Sequence, residues 1–350
     1  MRQEHQRDRA GGRRRRGWLL ALAAVVALVL VEAAGSRSAA VAHLPSTAPP
    51  GPAARLIVEP DAGMAPIDAL LASPRRSLDL TIYELVDPTI EAILAADAAR
   101  GVRVRVLLDH GLEAQRNTPA YSFLRSRGID AVWSSDRFFA THEKAFVIDD
   151  RTAVIMSLNL AAQYYATSRD VAVVDRDPRD VAAIEAVFAA DLSGAAIRAA
   201  PADDLVWSPD DSEPDLLALI AAARRSIAVE SEELSSTRIV EALVAAARRG
   251  VRVSVAMTYD ARWASALSAI AAAGGTVRTF TGETPLYIHA KLLVVDAGTP
   301  AGRAFVGSEN LSDASLQHDR ELGIVLVAPG PVDQVAAVVA GDVSAGRPWP

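Results

Sequence analysis

Residues 56–109 and 205–258 are two versions of one sequence. Leu56 matches Leu205, Pro60 matches Pro209 and Arg76-Ser77 matches Arg225-Ser226. Glu84-Leu85 matches Glu233-Leu234, and Arg100-Gly101-Val102 matches Arg249-Gly250-Val251, all at a constant offset of 149 and without a gap. Two copies at so long a period exclude a solenoid and predict a duplicated domain, one lobe per copy. Any fold adopted by the first copy is expected in the second.

Each copy reads as the same series of elements. A helix (66–73, then 215–223) leads to a strand (78–83, 227–231) and a second helix (88–99, 237–248), whose apolar residues Ile90, Ile93 and Leu94 fall on one face. Gly101 and Gly250 stand where a helix C-cap belongs. VRVRVLL and VRVSVAM read as strands, followed by a further helix (118–127, 263–273) and strand (129–133, 276–280). This alternation predicts an α/β fold of two lobes, each with a mainly parallel, helix-flanked sheet. The expected layout is lobe 1 at 55–200, lobe 2 at 201–330 and a C-terminal segment at 331–350, with an inter-lobe linker within 194–214, rich in Pro, Asp and Ser.

The N-terminus reads differently. The basic run 13–16 precedes the apolar stretch 18–31, and small residues follow, with Ala40-Val41-Ala42 as a candidate cleavage site. That is the layout of a signal peptide or an uncleaved membrane anchor over residues 1–42. Arg15-Arg16 loosely matches a twin-arginine export signal. Residues 43–54 are a Pro-rich linker. The chain has no cysteine, which excludes disulfides, thiolate metal sites and a cysteine nucleophile and suits an exported protein. Residues 1–42 hold eight arginines against three acids, leaving 28 basic and 40 acidic side chains in the body. So acidic a body disfavours non-specific binding to nucleic acid.

Of the 36 basic residues only Lys144 and Lys291 are lysines. Both lie two residues after a histidine and five before an aspartate, in 141-THEKAFVIDD-150 and 287-YIHAKLLVVD-296. On a strand, residues two apart share a face, so His142 pairs with Lys144 and His289 with Lys291. A pseudo-twofold axis can set the two pairs against each other. Two imidazoles and two ammonium groups suit a phosphodiester: one histidine as neutral nucleophile, the other as acid, and lysines as compact charges for phosphate oxygens. Asn159 and Asn310 follow each motif and can donate to a phosphate oxygen. Eleven residues beyond each lies a carboxylate after arginine, Asp170 and Glu321, suited to orienting an imidazole.

The pattern H-x-K-x4-D followed by G-S-x-N, present twice, resembles the phospholipase D superfamily and its HKD motifs. The stretch YELVDPTIEAILAADAARGVRVRVLLD is also similar to phospholipase D-like domains of bacteria. The resemblance spans 55–328 and implies a duplicated phospholipase D-like fold with its active site at the pseudo-twofold interface. It implies catalysis by His142, Lys144, Asp149, His289, Lys291 and Asp296, with His142 as nucleophile and Asp149 and Asp296 structural or orienting. Lys144, Asn159, Lys291 and Asn310 would bind phosphate, and neither metal nor cofactor is implied. The first motif departs from the pattern with Met156 in place of glycine and Asp170 where glutamate is common. The second carries four extra residues in 297–304.

The remaining candidates are weaker. His110 and His318 have no repeat partner and read as loop histidines. Glu84 and Glu233 match across the repeats as pocket or loop acids. The arginine pairs 75–76, 224–225 and 248–249 read as solvated helix ends. Phe138, Phe139, Tyr164, Tyr165 and Trp263 are candidates for an apolar rim. The expected function is an exported phospholipase D-type hydrolase, monomeric, secreted or anchored at the outer face of the cytoplasmic membrane, acting on phospholipid at a membrane surface. The alternatives are a secreted nuclease of the same fold and a cardiolipin-synthase-like phosphatidyl transferase.

Overall fold

The computed structural model describes residues 54–199, 204–281 and 286–350, which fall in one compact unit. The expected export segment at 1–42 and the Pro-rich stretch before Ala54 lie outside the described residues.

The first repeat runs β1 (Arg55–Glu59), α1 (Ala65–Leu71), β2 (Ser77–Ile82), α2 (Pro88–Ala99), β3 (Arg103–Leu108), α3 (Ala114–Ser126), β4 (Asp130–Trp133), β5 (Lys144–Ile148), β6 (Thr152–Met156), β7 (Ser168–Asp175) and α4 (Pro178–Ser193). The second opens β8 (Leu205–Ser208), α5 (Ser212–Ala222), β9 (Ser226–Glu230), α6 (Thr237–Arg248), β10 (Arg252–Thr258), α7 (Ala264–Ala272) and β11 (Thr276–Phe280). It continues β12 (Tyr287–Ile288), β13 (Lys291–Val295), β14 (Arg303–Gly307), α8 (Asp313–Gln317), β15 (Glu321–Leu326), α9 (Pro329–Ala345) and β16 (Arg347–Pro348). Local chemistry explains the shared boundaries. Asp87 caps α2 by accepting the Thr89 N–H, with Pro88 at the first helical position. α2 and α6 both stop at glycines with φ of +89° and +88°, where any other residue would be strained.

Each repeat builds one sheet, in the same order: β1-β7-β6-β5-β2-β3-β4 and β8-β15-β14-β13-β9-β10-β11-β16. Within these two orders, parallel pairing is confined to β2-β3-β4 and β9-β10-β11, and every other neighbour is antiparallel. The expected mainly parallel sheet is therefore corrected to a mixed one. β5 turns into β6 through 149–151, and β13 turns into β14 through 296–302. Neither connection is long enough for a helical crossover, so both close as hairpins.

Strand alternation decides where the core lies. Phe146 and Ile148 face the helices of the first repeat, while Ala145 and Val147 face the other way. Those inner residues meet Leu292, Val294, Ala304 and Val306 of the second sheet, together with Val181 and Ile184 of α4 and Val332, Val335 and Val339 of α9. The two sheets thus bury their inner faces in one shared core, at about 1.5–3 kcal/mol per large aliphatic side chain. Residues 331–350, set apart by the sequence reading as a C-terminal segment, belong to this core and, through β16, to the second sheet. Residues 205–214, expected within the linker, form β8 and the start of α5.

Candidate active site

The site is made by an exchange between the sheets. β5 and β13 begin at the lysines, and the residues before them cross to the opposite repeat. Tyr287 and Ile288 pair in parallel with Ser168 and Arg169, and the Ala290 N–H donates to the Arg169 carbonyl at 2.8 Å. In the mirror-image contact Thr141 bridges Arg320, Glu143 N–H donates to its carbonyl at 3.0 Å, and Arg320 N–H donates to Ala140 at 2.9 Å. Each His-x-Lys segment is thereby zipped onto the strand of the other repeat that carries the orienting acid. His142 Nδ1 lies 2.7 Å from Glu321 Oε2, and His289 Nδ1 lies 2.8 Å from Asp170 Oδ1. With Nδ1 engaged, Nε2 is the atom left for chemistry in both rings.

Both histidines, both asparagines and Asp170 line one cavity of about 590 Å³. Asn159 and Asn310 follow β6 and β14, and each has a buried Oδ1 without a hydrogen-bond partner. The lysines stand behind this wall. Each is 1 % exposed, and each Nζ donates to the carbonyl oxygen of its own motif histidine at 2.5 Å. Burial pushes Lys144 down to about 7 and, with the charges of Lys144 and Lys291, holds His142 well below the ordinary histidine range. His142 is therefore a neutral imidazole at neutral pH. Burial pushes Glu321 up to about 7, against the pull of Lys144.

Asp149 and Asp296, grouped with the catalytic residues but expected to be structural or orienting, are apart from the histidines and lysines. They stand at the far ends of β5 and β13, roughly 16 Å along the strand from each lysine, and neither lines the cavity. Asp149 accepts backbone N–H groups of Arg75, Arg76 and Ser77, and Asp296 those of Arg224, Arg225 and Ser226. Although burial acts upward on both, these donors hold both carboxyls below their usual range. The third motif residue therefore pins the start of the neighbouring strand through backbone donors in both copies.

Met156, the departure from glycine, is buried in the core of the first repeat instead of entering the cavity. Its strand neighbour is Ala172, whereas Gly307 faces Gly323, and a Cβ on Gly307 would collide with Glu309 Oε2 and meet Gly323 Cα at 2.6 Å. The second repeat needs glycine because Glu309 fills that space. The first has Leu158 at the equivalent position, so Met156 fits.

Two groups escaped the sequence reading. Arg169 and Arg320, which precede the orienting acids, are buried in ion pairs. Arg169 binds Asp342 of α9 at 2.7 Å and Asp61 at 2.9 Å, and Arg320 binds Asp191 of α4 at 2.9 Å and Asp210 at 3.5 Å. The acids themselves repeat at offsets of 151 and 149, a signal the sequence carried. The second group is the unlike pair Tyr83 and Glu232, which occupy equivalent positions after β2 and β9. Lys144 Nζ lies 4.8 Å from the Tyr83 ring centroid, whereas Lys291 Nζ lies 3.1 Å from Glu232 Oε2.

Glu84 and Glu233 both line the cavity, Glu84 in an ion pair with Arg116. Phe139, Tyr164 and Tyr165 line it too, as does Tyr287, which the sequence reading did not name. Phe138 lies instead under the Arg320 guanidinium, and Trp263 is buried in the second repeat's core. His110 and His318 are not on the cavity wall. Among the described residues no group of three or more His, Asp or Glu side chains could hold a metal ion, and no helix is long and apolar enough to cross a membrane.

Comparison with known proteins agrees with this geometry. The family described as "Cardiolipin synthase, PLD-like domain" matches twice, at residues 67–192 and 216–342. The mitochondrial cardiolipin hydrolase of Homo sapiens is 32 % identical over 109 residues, which are 31 % of this chain and 42 % of that protein. The chain thus spans less than half the length of that relative. Phosphatidylserine synthase of Haemophilus influenzae shares the fold at a TM-score of 0.66 and 11 % identity, over 87 % of this chain and 89 % of the other. Polyphosphate kinase of Porphyromonas gingivalis shares it at 0.67 and 17 % identity, over 82 % and 46 %. Two matched domains in one chain, one for each half of a single duplicated fold, place the chain in the phospholipase D superfamily, to which it belongs.

Proposed function

We propose that the protein is an exported phosphodiesterase of phospholipase D type that hydrolyses phospholipid phosphodiester bonds through a phosphohistidine. The neutral imidazole of His142, its Nδ1–H held by Glu321, attacks phosphorus through Nε2. The phosphorus–oxygen bond to the departing alcohol breaks, and His289 Nε2–H protonates that oxygen. His289, now neutral, takes a proton from water. The hydroxide attacks phosphorus, the nitrogen–phosphorus bond breaks, and His142 leaves as a neutral ring. Asn159, Asn310 and the lysine charges behind the wall stabilise the phosphate oxygens. Asp170 holds the His289 ring through Nδ1 and aims Nε2 at the departing oxygen.

One observation carries the lipid reading. Of the five large apolar or aromatic side chains exposed among the described residues, four (Leu112, Phe139, Tyr164 and Tyr287) line this cavity. An apolar mouth suits acyl chains, and its acidic neighbours Glu113, Glu232, Glu233 and Asp319 repel a polyanion, which disfavours the nuclease reading. The N-terminal segment supports export to a membrane face, and the presence of both motifs in one chain supports action as a monomer. The name of the human relative, a cardiolipin hydrolase, is consistent with a lipid diester.

A transfer reading stays beside the hydrolytic one, because an alcohol in place of water completes the same second step and the matched family is described by a synthase. The deciding assay offers phosphatidylcholine, phosphatidylglycerol, cardiolipin and single-stranded DNA, with and without EDTA and with and without glycerol. Lipid cleavage that survives EDTA is expected. Cleavage of DNA alone would replace this reading with the nuclease, and a glycerol adduct as main product would replace it with the transferase.

A further inference from the structure

The two halves of the cavity are built on the same plan but not with the same charge. In the first half-site the position after β2 is Tyr83, whose ring lies edge-on to His142 at 4.5 Å and beside Lys144. In the second half-site the equivalent position is Glu232. Its Oε2 lies 3.1 Å from Lys291 Nζ and 3.4 Å from His289 Nε2, and the Tyr287 hydroxyl donates to Oε1 at 2.7 Å. Lys291 supplies the charge for phosphate from behind the wall, and His289 Nε2 is the atom that serves the departing oxygen. A carboxylate oxygen of this chain already sits between them, on the wall of the cavity. Burial acts upward on this carboxyl, but Lys291 and His289 outweigh it and hold it below the ordinary range, so it is an anion at neutral pH.

We propose that Glu232 is a specificity-determining residue, an internal anion that lets the second half-site take a singly charged phosphodiester and reject a doubly charged phosphomonoester. The proposal rests on the reading of this cavity as a phosphodiester site. A diester carries one negative charge, whereas a phosphomonoester carries about 1.5 to 2 near pH 7. Both must enter beside the fixed charge of Glu232, and the repulsion rises with the charge of the entrant while the attraction of Lys291 is already partly spent on the carboxylate. Other charged groups around the mouth set the same sign: Glu233, Glu113 and Asp319 line the cavity, Asp170 lies against His289, and Arg116 is engaged by Glu84. The first half-site has Tyr83 at that position, and the acid that acts on Lys144 there, Glu321, is engaged by His142 and Ser315 and does not line the cavity. The consequence falls on the product. Hydrolysis of a phospholipid at the headgroup turns a diester into a monoester, and the gain in charge drives that product out.

The test measures binding of inorganic phosphate and of dimethyl phosphate to the full chain by titration calorimetry at pH 7.5. Wild type should bind dimethyl phosphate more tightly than inorganic phosphate. Glu232→Gln should raise the affinity for inorganic phosphate at least tenfold while changing that for dimethyl phosphate threefold or less. Glu232→Tyr, which copies the first half-site, should do the same and stands in if the glutamine variant does not fold. A wild type that prefers inorganic phosphate, or a ratio of affinities unchanged by both substitutions, overturns the proposal. Turnover of bis-p-nitrophenyl phosphate by the same preparations separates the two readings. Its absence counts against the phosphodiesterase, whereas turnover with an unchanged ratio counts against the charge selector alone.

Discussion

Asp170 of the first repeat holds Nδ1 of His289 in the second at 2.8 Å, so neither motif is complete within its own copy of the sequence. Glu321 returns the contact to His142 at 2.7 Å. A carboxylate in this position fixes the tautomer that leaves Nε2 free. Asp170→Asn and Glu321→Gln should each lower kcat about 10–100-fold, the usual cost of losing an orienting carboxylate. KM should change little, and the thermal midpoints should stay near wild type. A loss of activity matched by a loss of folded protein would assign both acids to structure instead.

The acid–base assignments predict a narrow pH profile for kcat/KM. Glu321 must be ionised to accept the Nδ1–H of His142, so activity rises with pH through about 7, where burial places this carboxyl. Lys144 must be charged to act on phosphate, so activity falls as pH rises through about 7, where burial places this amine. The maximum should lie near neutrality. A plateau extending to pH 9 would show that Lys144 keeps its charge or does not serve the phosphate.

His142→Ala should give no burst of product from any substrate. His289→Ala keeps the nucleophile and loses only the proton donor. On a substrate with a good leaving group such as p-nitrophenolate it should form phosphohistidine in a burst and then stall, because the same residue activates the incoming water. Acid-labile phosphate trapped on His289 would exchange the two roles. No covalent phosphate in any variant under rapid quench would rule out the covalent route.

Asp149 tests the division between motif and mechanism. Asp149→Ala removes an acceptor of backbone N–H groups at the start of β2, far from the cavity. Stability should fall by about 1.5–3 kcal/mol, the range for hydrogen bonds to a charged group. The protein that remains folded should turn over at a rate within a few-fold of wild type, read by active-site titration. A folded variant without activity would return Asp149 to the catalytic set.

Arg320 is 1 % exposed between Asp191 and Asp210. Arg320→Ala leaves Asp191 buried without its partner, which costs about 3–5 kcal/mol. Urea unfolding should show that loss. Arg320→Lys should recover only part of it, since one ammonium cannot face both carboxylates as the guanidinium does.

Much of this protein is local and is legible as such. The 149-residue offset announces two copies, apolar spacing marks α2 and α6 to the residue, and Gly101 and Gly250 mark where they stop. The two lysines, each behind a histidine, single out the chemistry before any coordinate is known. These signals survive in sequence because each depends on residues a few positions apart.

What the sequence left open depends on edges that meet from far along the chain. Nothing in the spacing of 139–143 or 287–290 says that each stretch leaves its own sheet for the strand of the other copy, nor that Asp170 serves His289 and Glu321 serves His142. That exchange follows from burying the inner faces of both sheets in one core, which brings the starts of β5 and β13 against the opposite repeat. The same packing puts Tyr83 and Glu232, matched by position but unlike in charge, beside the two lysines. Strand geometry, not packing, sends Asp149 and Asp296, which the motif groups with the histidines, to the far end of their strands. A strand advances about 3.3 Å per residue, so five residues of sequence proximity become most of the width of a sheet.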